Sequence, residues 1–468
     1  MPAEKSELLR ILTPYGQEHV LAFWERLTQD QKCALAEEIG SIDFAALAEV
    51  TKSAGAVSRS RLHLEPEPFT RLPKGDKARA RWEEARCAGQ EALAAGRVAA
   101  MVVAGGQGTR LGFDGPKGAF PIGPVTKRTL FQIHAEKVLA ASQKYGREIP
   151  FLVMTGPSND AETRFFFKEH NFFGLPFTSV RIFEQGQMPA VGDDGRVILD
   201  APGHIFVSPN GHGGSLKALW DSGTVSWLEE RHVDIISYFQ VDNPLVRVLD
   251  AAFVGFHLVS GAEMSLKLLE RSDPDEKLGV WVQCDGRRQV IEYSDMPLDG
   301  MRARDETGGL KYPGGSIAIH AFGVPFVRRL NEKGFALPYH RARKKVPIVD
   351  ASGGTVEPKE ANATKFEMFV FDALLFAERI SAVETLRQEE FSPVKNASGS
   401  DSPETARRDL SRLYAGWLGS IGVEVETDDA GNPKHPIEIS PLVADDAASL
   451  EQNYRGPRRV AQALVLAP

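Results

Sequence analysis

VAAMVVAGGQGTRLGFDGPKGAFPIG, Val98 to Gly123, is the stretch from which the fold is read. Ala99 to Ala104 carries no polar side chain, and Arg97 and a glycine pair bound the run. Such a run fits a parallel strand covered on both faces. Gly105, Gly106, Gly108 and Gly112 then fall within eight residues. Glycine at that density lets the backbone bring its N–H groups close to a ligand. Arg110 and Lys117 add two fixed cations, and Pro116 stiffens the approach to Lys117. A buried strand, a glycine-rich turn and two cations describe a cradle for phosphate groups.

Two other glycine loops fail against these residues. The dinucleotide fingerprint G-x-G-x-x-G wants its third glycine one position before Gly112, and an acidic residue closing the next strand. That strand, Ile149 to Gly156, ends instead in Thr155 and Gly156. The P-loop needs G-K-[ST], whereas Lys117 stands between Pro116 and Gly118.

Outward from the loop, 468 residues allow two or three domains. Hydrophobic and charged fractions of 42% and 25% place the chain with globular proteins rather than disordered ones. A formal charge of −8 argues against nucleic-acid binding, which wants a basic face. Cys33, Cys87 and Cys284 are too scattered for a disulfide framework or a C-x-x-C metal site. With no signal-peptide core and no run of ~18 apolar residues, a cytoplasmic setting without membrane partners is expected.

Residues 1–96 read as an N-terminal helical region. Leu8, Leu9, Ile11 and Leu12 start one apolar run, and Val20, Leu21, Phe23, Trp24 and Leu27 continue it at helical spacing. Thr28 with Gln31 forms a capping-box signal. Val57 to Asp76, broken by prolines, reads as an extended strap, and Asp76 is expected to cap a helix that Gly96 stops. Residues 97–385 alternate strand and helix, the mark of an α/β domain with a mixed, mostly parallel Rossmann-like sheet flanked by helices. Thr129 is expected to cap a helix through Lys144. Residues 386–468 read as a small C-terminal domain with a cap at Ser402 and a turn at DDAGNP.

Several positions suit ligand chemistry by residue type. Gln185 ends a strand, where its amide can pair with both a carbonyl and an N–H of a base. SPNGHGGSLKAL, Ser208 to Leu219, is a second glycine turn entering a helix, with Gly211 and His212 at its centre. VDN, Val241 to Asn243, closes a strand with Asp242, a hard oxygen ligand for Mg²⁺.

The Val98 stretch resembles the nucleotide-binding signature of sugar-nucleotide pyrophosphorylases, L-x-G-G-x-G-T-R-L-G followed by P-K. The later segments FEQGQMPAV, SPNGHGGSLKAL, LGVWVQCDGRRQVIEYSDM, YPGGSIAIH and EFSPVKN follow in family order from about residue 98 to 397. Together they most resemble the eukaryotic-type UDP-N-acetylhexosamine pyrophosphorylases. The resemblance implies a nucleotide site at Ala104, Gly105, Gly106, Gly108, Thr109, Gln185, Gly211 and His212. It implies charge neutralisation by Arg110, Lys117 and Lys395, and a sugar site at Gly279, Glu292 and Ser316. Asp242 would hold Mg²⁺ or Mn²⁺. Two departures bear on the sugar: His212 stands where the family has asparagine in G-N-G-G, and Ser316 stands where an asparagine meets the hexosamine.

The implied reaction joins UTP and a sugar 1-phosphate into UDP-sugar and pyrophosphate, with N-acetylglucosamine 1-phosphate as first choice and glucose 1-phosphate as rival. A non-catalytic nucleotide-sugar sensor on the same fold is the reading outside the enzyme class. A monomer or weak homo-oligomer is expected.

Overall fold

The computed structural model describes residues 4–52 and 63–468. The strap's first residues, Val57 to Leu62, lie outside them. The chain divides into two compact units. Met1–Arg61, Gln185–Ser215 and Leu337–Asp372 make the smaller, and Leu62–Glu184, Leu216–Ala336 and Ala373–Pro468 the larger.

The larger unit is built on a ten-stranded sheet. Its strands are β1 (Leu64–Pro66), β2 (Val98–Val103), β3 (Phe151–Thr155), β4 (Val180–Glu184) and β5 (Ile235–Gln240), continuing with β6 (Met264–Glu270), β7 (Gly279–Cys284), β8 (Arg287–Ile291), β9 (Gly314–Gly323) and β10 (Ile380–Glu384). The order β1-β7-β9-β5-β2-β3-β4 forms the main path, with β6, β8 and β10 joined at its side. Pairings β5-β2, β2-β3, β3-β4 and β6-β10 are parallel, and only β1, β8 and β9 run against the rest. The sheet is therefore mixed and mostly parallel, as the alternation of patterns predicts.

β2 is buried at every position, as its apolar run requires. From β2 the chain winds outward through helix Leu130–Tyr145 to β3, and through helix Asp160–Glu169 to β4. It later returns to lay β5 on the opposite side of β2. The carboxyl ends of β2 and β5 thus flank the point where strand order reverses, the place where open α/β sheets hold ligands.

The helices follow their end signals. Thr129 caps Leu130–Tyr145 by accepting from the Gln132 N–H, and Ser402 caps Pro403–Ser420 through Thr405. Asp76 differs from expectation. Gly75, at φ 81°, occupies the cap position, and Asp76 is the first helical residue, where its charge favours the positive helix end. In the C-terminal segment Leu410, Tyr414 and Leu418 of helix Pro403–Ser420 bury against Ile437, Ile439, Leu450 and Val460. Its short strands pair with one another, off the main sheet.

The smaller unit carries helices Lys5–Leu12, Gln29–Ser41 and Phe44–Lys52, with the expected Thr28–Gln31 capping box. Val20 to Leu27 departs from expectation in form. Its apolar residues are buried, but in two 3₁₀ turns, Glu18–Leu21 and Trp24–Arg26, rather than an α-helix. The tighter 3₁₀ turns let the chain bend while its apolar residues stay in one core. A three-stranded sheet, Tyr339–Lys344, Ala363–Met368 and Val191–Gly192, completes this core.

Back in the larger unit, helix Asp76–Ala94 lies backbone to backbone on helix Ala251–Val259. A Cβ added at Gly255 would stand 1.6 Å from the Ala85 carbonyl oxygen, and one at Gly89 1.8 Å from that of Ala251. Gly255→Ala should drive the helices apart and cost about 3 kcal/mol, the upper end for overpacking. Urea unfolding at unchanged slope is the measurement.

Candidate functional site

The glycine loop leaves β2 as a folded hairpin. Gly108 N–H donates to the Gly115 carbonyl (2.9 Å) and Lys117 N–H to that of Gly106 (3.1 Å). A 3₁₀ turn, Thr109–Leu111, closes on Gly112 at φ 67°, a conformation glycine adopts without strain. Among the described residues, the N–H groups of Gly105, Gly106 and Gln107 donate to no acceptor. Successive unpaid amides beside cations are suited to phosphate oxygens. Arg110 is exposed and makes no side-chain bond among the described residues, so its guanidinium is uncommitted.

One residue that the sequence reading missed holds the loop in place. Asn159, 1% exposed, donates its Nδ2 to the carbonyls of Ala104 (2.9 Å) and Gly106 (3.0 Å). Its Oδ1 accepts from the Gly156 N–H at 2.8 Å. Asn159 sits at the N-cap of helix Asp160–Glu169 without capping it. An asparagine just before the acidic first turn was the available signal, and its position promised only a cap.

Across the switch point, Lys117 Nζ meets Asp242 Oδ2 at 3.0 Å, each side chain 18% exposed. Two residues named separately in the sequence thus form one ion pair. The same strand end anchors the third cation. The Val394 N–H donates to the Asp242 carbonyl (2.9 Å), while Asn243 holds the Glu390 carbonyl (2.7 Å) and the Ser392 N–H (3.1 Å). Lys395, next after Val394, is exposed, and its Nζ lies 5.9 Å from the Phe391 ring centre.

Helix Leu130–Tyr145 steadies Asp242 from below. His134 Nε2 donates to the Val241 carbonyl (3.0 Å), and Lys137 Nζ to those of Pro244 (2.6 Å) and Val246 (2.8 Å). Burial, helped by Lys137, pushes the His134 pKa down to about 3. Burial likewise pushes Lys137 down to about 7. The arm after Lys117 is gripped from the C-terminal segment. The Glu438 carboxylate accepts from the Val125 and Thr126 N–H groups (2.7 Å each) and from Arg128 Nη1 (2.6 Å).

The three sugar residues also gather. Gly279 of β7 pairs directly with Ser316 of β9. Glu292 follows β8, and a Cβ on Gly279 would stand 3.7 Å from its Oε2. Because β9 runs antiparallel to β5, its first residues extend past the carboxyl end of β5, the end that carries Asp242.

Gln185, Gly211 and His212 lie together in the smaller unit. Gln185 Nε2 donates to the Gly211 carbonyl at 2.6 Å. Gly211 has φ +84°, and a Cβ there would strike the Met368 carbonyl oxygen at 2.4 Å. His212 Nδ1 accepts from the Val370 N–H (3.1 Å), which places the proton of the neutral ring on Nε2. Its ring stacks on Phe369, and His340 stacks on the same ring while meeting Asp372 at 2.7 Å. Burial and the neighbouring His340 push the His212 pKa down to about 4, so the ring is a neutral donor at pH 7.

Asn159→Ala should strand the Gly156 N–H and two carbonyls, at a cost of about 2 kcal/mol. Faster amide exchange at Gly105 to Gly108 should accompany it. The depressed His134 pKa makes stability fall as pH drops below about 6.5, because the unfolded chain binds a proton the folded one refuses. Between pH 7 and 5 this group should cost about 2 kcal/mol. The loss should shrink in His134→Gln, read by chemical unfolding at both pH values.

Comparison with known proteins bears on the chain's family. Residues 69–401 match the family described as UTP–glucose-1-phosphate uridylyltransferase. UDP-N-acetylhexosamine pyrophosphorylase-like protein 1 of Homo sapiens is 37% identical over 97% of this chain and 96% of its own. UDP-N-acetylglucosamine pyrophosphorylase of Saccharomyces cerevisiae is 35% identical over 72% of this chain and 73% of its own. The solved uridine diphosphate N-acetylglucosamine pyrophosphorylase of Trypanosoma brucei has a TM-score of 0.85 at 27% identity, covering 100% of this chain and 98% of that one. With a family match over residues 69–401 and a relative 37% identical over 96% of its length, the chain belongs to the UTP–glucose-1-phosphate uridylyltransferase family.

Proposed function

We propose that the chain joins UTP to N-acetylglucosamine 1-phosphate, releasing pyrophosphate and forming UDP-N-acetylglucosamine. The observation that carries the reading is the Lys117–Asp242 pair at the switch point, beside three consecutive uncommitted amides. The names of the human and yeast relatives support the N-acetylhexosamine over glucose.

A phosphate oxygen of the sugar 1-phosphate attacks the α-phosphorus of UTP in line. A new P–O bond forms as the bond to the bridging oxygen breaks and pyrophosphate leaves. The second pKa of a phosphate monoester is ≈ 6, so the nucleophile is already anionic and needs no general base. The protein's work is positioning and charge neutralisation. The Gly105–Gln107 amides hold phosphate oxygens, and Lys117, Arg110 and Lys395 offset their charge. Ser316 and Glu292 face the sugar.

Among the described residues there is no cluster of three ligands for a metal. A lone carboxylate fits Mg²⁺ or Mn²⁺, which substrate phosphates and water largely surround. Asp242 would hold the ion, and when bound it supplies further neutralisation of the phosphates. Lys117 Nζ donates to Asp242 Oδ2. Nucleotide that draws Lys117 toward its phosphates frees that oxygen, so ion and UTP are expected to enter together.

Pyrophosphate release with UTP, Mg²⁺ and a panel of sugar 1-phosphates tests the reading. N-acetylglucosamine 1-phosphate should be the best substrate. A preference for glucose 1-phosphate would replace the sugar, and UTP binding without release would leave a sensor. Lys117→Ala should lower turnover on the order of 10²–10³, as lost oxyanion donors do. Near-full turnover at saturating UTP would remove Lys117 from the chemistry.

A further inference from the structure

Arg271, the residue after β6, is a buried guanidinium that no carboxylate pairs among the described residues. It is 3% exposed. Its N–H donates to the Pro313 carbonyl at 2.7 Å and its Nη1 to that of Tyr312 at 3.1 Å. Nη2 reaches the Pro274 carbonyl at 3.2 Å and the Met301 sulfur at 3.7 Å. Nε is buried with no partner. Burial pushes the guanidinium below its ordinary pKa, and Asp273 offsets only part of that effect.

Such a charge is expensive. Replacing a buried charged group by an apolar one of similar volume is often neutral or stabilising. Stability alone would therefore favour a methionine here. What arginine adds is a rigid fork able to hold two carbonyls at fixed spacing, which the single ammonium of lysine does not reproduce.

The two carbonyls belong to the two segments that carry the sugar residues. Pro274 lies in the loop that runs into Gly279, and Tyr312 with Pro313 leads into Ser316. Gly315 lets them close. A Cβ there would stand 2.8 Å from both Arg271 Cγ and Leu278 Cδ1. Ser316 is also a position where this chain departs from the asparagine that the resemblance implies.

We infer that Arg271 is a positioning residue that clamps the Pro274 loop to the start of β9, fixing Gly279 and Ser316 as one wall against the sugar 1-phosphate. The inference rests on the uridylyltransferase reading and deepens it. Arg271 touches no substrate; it sets the spacing of residues that do.

The test compares wild type, R271M and R271K with UTP, N-acetylglucosamine 1-phosphate and glucose 1-phosphate. Amide exchange is followed over residues 272–279 and 312–316. R271M should raise KM for the sugar phosphate about tenfold while UTP KM stays within about twofold, since a misplaced wall loses orientation without touching the nucleotide. Preference between the two sugars should narrow, and exchange should rise in those two segments alone. R271K, keeping charge and one donor, should recover part of the sugar KM. An unchanged sugar KM, a parallel rise in both KM values, or unchanged exchange would overturn the inference. If R271M does not fold, R271K carries the same comparison. If wild type releases no pyrophosphate with any sugar, the uridylyltransferase reading has failed, and amide exchange then decides whether Arg271 is a clamp.

Discussion

Six backbone pairs, from Ile235↔Val98 to Gln240↔Val103, hold β5 beside β2 although much of the chain separates them in sequence. Parallel strands end on the same side, so this pairing delivers two loops to one edge. One loop ends in Lys117, and the other begins at Asp242. Everything else in the larger unit supports those two ends. Asn159 fixes the first loop by its carbonyls, while His134 and Lys137 fix the second from a single helix. A one-residue slip between the strands would reverse the facing of every side chain on β5.

Charge is arranged in layers beneath this edge. Nearer the surface Lys117 pairs with Asp242, and Arg110 has no side-chain bond among the described residues. Deeper, Lys267 is 1% exposed and lies between Asp250 and Glu390, with Asp250 Oδ2 at 2.6 Å. Glu390 in turn accepts the Thr385 hydroxyl at 2.8 Å, and its carbonyl receives Asn243. Removing one partner of a buried pair costs about 3–5 kcal/mol because it strands the other. The segment leading to Lys395 therefore stands on a network that resists movement.

The sequence carried the site's chemistry further than its geometry. Val98 to Lys117 declared a strand and a phosphate-binding turn because a buried strand needs an unbroken apolar run and the turn needs glycine. Thr28, Thr129 and Ser402 marked helix starts because a side-chain oxygen must meet an orphan N–H. What stayed hidden depends on partners distant in sequence. Asn159 went unread, because its side chain turns back to Ala104 and Gly106. Nothing in VDN told that Asp242 would pair with Lys117, and Arg271 was not singled out at all. Asp76 and the Val20 turns were misplaced because Gly75 and three-residue turns serve the same ends by another backbone route.

The grip of Glu438 on Val125, Thr126 and Arg128 joins one of the last segments of the chain to the arm that follows Lys117. A protein is made from its N-terminus, and its parts fold as they emerge. The nucleotide loop is thus synthesised long before the carboxylate that fastens its exit. Until Glu438 is made, the Val125 and Thr126 amides lack that carboxylate, while Arg128 keeps its pair with Glu136 at 3.3 Å. A growing chain can pair β2 with β3 early, but the arm after Lys117 is fastened only once Glu438 has been made.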